Sequence, residues 1–107
     1  STSPGYGITI RVEGSPDSHP VALATTVITG AGATITALDV VESLLEKVVI
    51  DITCDTVDAE HADEITAAIS LNPDLTVRKV SDRTFLLHHA AHSPPQHLII
   101  SKNIRTE

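Results

Sequence analysis

Apolar and polar residues alternate from Tyr6 to Glu13, with Ile8, Ile10 and Val12 on one face and Thr9, Arg11 and Glu13 on the other. A period of two belongs to a half-buried strand, so this run predicts the first strand. Gly14-Ser15-Pro16-Asp17-Ser18-His19-Pro20 then gathers turn and capping residues, and Pro20 suits the opening turn of a helix, where its missing N–H costs nothing. Within His19 to Ala31, the residues Val21, Ala24, Val27, Ile28 and Ala31 recur at three- and four-residue steps and predict a helix with those side chains on its buried face. Its β-branched residues weaken helix propensity, so packing must hold it. Gly30 and Gly32 supply a stop.

Thr34 to Val41 reads as a second strand whose alternation slips between Ala37 and Val41, where a bulge is expected. Ser43-Leu44-Leu45-Glu46 is the expected hairpin connection. Lys47 to Cys54 follows as the clearest strand, with Val48, Ile50, Ile52 and Cys54 inward and Asp51, Thr53 and Asp55 outward. A second helix begins near Thr56 or Asp58, where Asp58 and Glu60 match the positive end of the helix dipole; Ala62, Ile65 and Ile69 form its buried stripe and Asn72-Pro73 ends it. Leu75 to Val80 is a fourth strand. Thr84 to Leu87 either continues it after a break at Ser81-Asp82-Arg83 or forms a separate edge strand.

The order β-α-β-β-α-β predicts an α+β fold, a ferredoxin-like sandwich in which an antiparallel four-stranded sheet carries both helices on one face, because crossover connections are right-handed. The expected organisation is an N-terminal tail over 1–5, one domain over 6–88, and a tail or linker over 89–107, where His, Ala, Ser, Pro and Gln surround a short apolar Leu98-Ile99-Ile100. The uncovered sheet face and edges predict a homodimer, paired edge to edge or face to face.

Composition narrows the function. Aliphatic residues supply nearly all the apolar content, with one Tyr, one Phe, no Trp and no Met, which leaves no aromatic platform for stacking bases. A formal charge of -7 repels a phosphate backbone, so nucleic acid is not an expected partner. No apolar run approaches the length of a membrane span, and Ser1-Thr2-Ser3-Pro4-Gly5 has neither the basic start nor the apolar stretch of a signal peptide, so no membrane partner and a cytoplasmic location are expected.

Candidate chemistry is sparse. Cys54, the single cysteine, lies in an apolar run and reads as a buried hydrophobe. His88 and His92 have helical metal-ligand spacing, but Pro94 and Pro95 oppose a helix and no third ligand is placed beside them, so no metal site is assigned. Ser81-Asp82-Arg83 has no activating base and reads as structural. Gly30-Ala31-Gly32-Ala33 ends a helix and opens a strand, the reverse of a dinucleotide-binding turn. No catalytic residues and no cofactor are expected, and the chain reads as a domain without enzymatic activity of its own.

Asp17-Ser18-His19-Pro20-Val21-Ala22-Leu23-Ala24, followed by Gly30-Ala31-Gly32-Ala33-Thr34-Ile35, resembles the ACT domain, and the likeness covers Tyr6 to Leu87. Lys79-Val80-Ser81-Asp82-Arg83-Thr84-Phe85-Leu86-Leu87-His88 resembles the end of the ACT domain that precedes the catalytic part of bacterial malic enzymes, and Ser101-Lys102-Asn103-Ile104-Arg105 resembles the linker into that part. The resemblance implies a regulatory domain that binds an amino acid or similar small effector between paired copies and acts on an attached or partner malate-oxidising enzyme. It implies a ligand site at Asp17, Ser18, His19, Pro20, Val21, Thr34 and Ile35, with Asp39 further along the same strand. Free N–H groups at the helix start would hold an effector carboxylate, and side-chain oxygens of Thr34 or Asp39 its amino group. Val21 stands where the family has Gly, and Thr34 where it often has Asn. Those two replacements keep a second reading open, a purely structural dimerisation domain without ligand.

Overall fold

The computed structural model describes residues 5–82. Its sheet is organised by the two alternating runs β1 (Tyr6–Gly14) and β3 (Val48–Thr56), which pair antiparallel so that Ile8, Ile10 and Val12 meet Cys54, Ile52 and Ile50. These six side chains are at most 1% exposed. α1 (Pro20–Gly30) adds Ala24 and Ile28 to the same buried cluster, and α2 (Ala59–Ser70) adds Ala62, Ile65 and Ile69, which places both helices on one face. β2 (Thr34–Ser43) and β4 (Thr76–Asp82) complete an antiparallel sheet in the order β2-β3-β1-β4. The α+β ferredoxin-like arrangement expected from the element order is therefore the observed one. Each buried Ile contributes on the order of 2 kcal/mol of burial free energy, enough to offset the weak helix propensity of α1.

The opposite face is mostly polar, apart from the buried Val49 beside Glu13, and is knitted across the strands. Arg11 donates from Nε and a terminal nitrogen to both Asp51 carboxylate oxygens, at 2.7 and 2.9 Å, and the Thr9 and Thr53 hydroxyls share a hydrogen bond of 2.9 Å. Arg78 pairs with Glu13 and Lys47 with Glu42 at the edges.

Several expectations shift. The slip in β2 is two irregularities, at Thr36 and Val41, the residues skipped in its register with β3. The extra residue at Thr36 reverses the alternation, so Ile35, Leu38 and Val40 all oppose core residues of β3, namely Cys54, Ile52 and Ile50. Val21 is exposed rather than buried, because Pro20, Ala24 and Ile28 take the central line of α1 while Leu23 and Val27 flank it. β4 has no break at Ser81-Asp82, since Ser81 and Asp82 pair with Thr9 and Ile8; its irregularity falls at Arg78, between the partners of Arg11 and Val12. The hairpin closes with Leu44 N–H donating to the Lys47 carbonyl, so β2 runs on to Ser43 and β3 starts at Val48.

The expected strand over Thr84–Leu87, the histidines His88, His89, His92 and His97, and the linker over 89–107 lie outside the described residues, as does the N-terminal tail apart from Gly5. Among the described residues no helix is long and apolar enough to cross a membrane.

Candidate functional site

The segment Ser15 to Val21 is shaped by two close approaches. Gly14 is buried where β1 passes under the start of α1; a Cβ there would lie 2.9 Å from the Pro20 Cβ and 3.0 Å from the Asp74 carbonyl oxygen, so only Gly fits without displacement. Pro16–Ser18 then makes a 3-10 turn, held by Ser18 N–H and Oγ on the Ser15 carbonyl at 3.1 and 2.8 Å and by His19 N–H on the Pro16 carbonyl at 3.1 Å. His19 adopts the left-handed conformation, φ 56° and ψ 61°, the only non-glycine with positive φ among the described residues. Its position before a proline disfavours the right-handed helical region, and the left-handed turn lets its carbonyl accept from Leu23 N–H at 3.0 Å, starting α1. No side chain caps this helix, which leaves the first-turn N–H groups of Val21 and Ala22 without an intrahelical partner.

Asp17 and His19 are exposed, Ser18 is half-buried, Pro20 is buried, and Val21 projects from the first turn. Thr34 and Ile35 sit elsewhere. Ile35 shares a row with Cys54 and Ile8, whereas the loop leaves from Gly14, whose row holds Val48 and Ser43. At ~3.3 Å per residue the two rows are about 20 Å apart along the strands. Thr34 pairs with Asp55 and Asp39 with Asp51, so both face the polar side of the sheet, away from the helices. Asp39 faces the carboxylate that Arg11 already clamps and makes no side-chain hydrogen bond or ion pair among the described residues. A single copy therefore brings Asp17, Ser18, His19, Pro20 and Val21 together and keeps Thr34, Ile35 and Asp39 apart from them.

Sequence reasoning overlooked a shallow open depression of about 320 Å³ beside the loop, lined by Glu13, Gly14, Ser15, Glu46, Pro73, Asp74 and Thr76. None of the eight singled-out residues lines it. This end of the sheet is acidic: Glu13, Asp17, Glu42, Glu46 and Asp74 gather there, and its cations Lys47 and Arg78 are engaged by Glu42 and Glu13. Among the described residues no group of three or more His, Cys, Asp or Glu is arranged to hold a metal ion.

Asp82, in the Ser81-Asp82-Arg83 run, accepts the Tyr6 hydroxyl at 2.7 Å; that bond, followed by burial, raises the phenol above its ordinary range. This gives Asp82 a structural task, tying the start of β1 to the end of β4. His61 was also missed. It links the start of α2 to the end of α1, and its partner Ala31, 30 residues away, leaves no local pattern to find.

No family model matches the chain, and no curated protein matches it.

Proposed function

We propose that the chain is a regulatory module in which two copies pair and bind a small zwitterionic effector, an amino acid, and that it biases an attached or partner malate-oxidising enzyme. The single observation that carries the reading is the separation just described. The uncapped N–H groups at the start of α1 and the start of β2 lie at opposite ends of one copy, so the Asp17–Val21 loop and Ile35 share a site only if a second copy contributes its half. β2 is suited to that role. It is an edge strand, and Leu38, Val40, Val41, Leu44 and Leu45 in and after it are 39–95% exposed, more apolar surface than an isolated edge usually shows. Antiparallel pairing of two such edges carries the start of β2 of one copy, with Ile35 on the helix side, to the end of the sheet where the other copy's Asp17–Val21 loop stands.

The charge at that end favours a zwitterion over a dicarboxylate. An ammonium group gains from the surrounding carboxylates, while a carboxylate is held by the helix-start N–H groups and their partial positive charge. The link to a malate-oxidising enzyme rests on the resemblance of Lys79 to His88. Coupling of such an effector to an enzyme is typically worth about 1–3 kcal/mol and requires different affinity in two enzyme states.

Titration calorimetry of the full chain against amino acids and, separately, dicarboxylates tests the reading. Saturable heat with one or more amino acids, and none with the dicarboxylates, is the expected result. A dimer that gives no heat with any of them would establish the structural dimerisation domain instead, the reading that Val21 at the mouth of the loop favours.

A further inference from the structure

His61 occupies the third position of α2, where a capping box usually places Glu. Asp58 caps the helix by accepting His61 N–H at 2.8 Å, and the imidazole reaches back so that Nδ1 accepts the Val57 N–H at 2.9 Å. Local capping would end there, but the other ring nitrogen continues across the layer. Nε2–H donates at 2.7 Å to the carbonyl of Ala31, the residue that caps the end of α1. The next residue, Gly32, takes φ +91° and turns the chain into Ala33 and the first residue of β2. The ring fixes its own tautomer, because accepting at Nδ1 requires the hydrogen on Nε2.

We propose that His61 is a positioning residue that couples the start of β2 to the first turn of α2, so that order or disorder at one is transmitted to the other. The two segments share no covalent neighbour, and the ring is bonded to the backbone just ahead of each, at Ala31 before β2 and at Val57 before α2. α1 extends the connection. Its first residues adjoin the Asp17–His19 turn and the residue that caps its far end, Ala31, is the one His61 holds, so displacement of the helix by a ligand or partner acts on this bond. The inference rests on the two hydrogen bonds and stands apart from the effector reading.

Two variants cut the bridge at different ends. His61→Asn keeps an acceptor where Nδ1 lies but is too short to reach Ala31. His61→Gln keeps a donor near the position of Nε2 and loses the Val57 bond. Native-state amide hydrogen exchange on the full chain, read residue by residue, compares them with the parent. The expected result is that each variant speeds exchange about tenfold at both ends, Val57 on one side and Gly32 and Ala33 on the other, the effect of roughly one lost hydrogen bond, with Ile10 and Ile52 unchanged. Acceleration confined in each variant to the end whose bond was removed would overturn the coupling. So would no acceleration, or an equal rise at Ile10 and Ile52, which would mean that His61 serves only global stability.

Discussion

Cys54 is fully buried against Ile8 and Ile35, and desolvation, followed by the charge of Asp55 beside it, pushes its thiol from 9.0 up to about 11. The native thiol stays protonated while the unfolded one ionises, so the native state binds the extra proton and stability falls as pH rises from about 9 towards 11. The shift corresponds to about 3 kcal/mol by the upper end of that window. Urea unfolding at neutral pH and near the top of the window should show this loss in the parent chain and a flatter response in Cys54→Ala. A thiol reagent at neutral pH should likewise modify Cys54 only as fast as the protein opens. Residue chemistry of this kind was legible from the sequence, because Cys54 sits in an unbroken apolar alternation. The Tyr6 bond to Asp82 was not, since it depends on a register that brings together residues 76 apart.

Among the elements, β1, β3 and α2 could be read directly because each has one face buried and a period that matches it. α2 also has a local start signal that survives in the structure: Asp58 accepts from His61 N–H, and Glu60 stands in the first turn. Asp58→Ala should cost about 1 kcal/mol of stability in thermal or urea unfolding and leave the fold unchanged, whereas Glu60→Gln, which removes only an exposed charge, should cost a few tenths. β2 was harder. Its extra residue at Thr36 breaks the period of two, and as an edge strand it buries little, so the pattern carried neither the position of the irregularities nor the end of the strand. β4 ran further than expected because its last pairs, Ser81 with Thr9 and Asp82 with Ile8, are set by the partner strand rather than by apolar residues of its own.

For the whole molecule, the candidate site could be read only as a set of residues. Their separation emerged once β2 was placed two strands away from β1, with Thr34 at the far end from the Asp17–Val21 loop. The proposed site therefore requires two copies to pair through β2. Leu38 and Val40 face the helix layer at the open edge, so replacing either with Lys removes apolar contact and places like charges close together across the pair, without disturbing the buried cluster. Sedimentation equilibrium of the parent chain and of Leu38→Lys measures this directly. Twice the 11.3 kDa chain mass is expected for the parent, and a folded species of single chain mass for the variant. A parent that remains a monomer across the concentration range, or a Leu38→Lys chain that pairs as tightly as the parent, would contradict it.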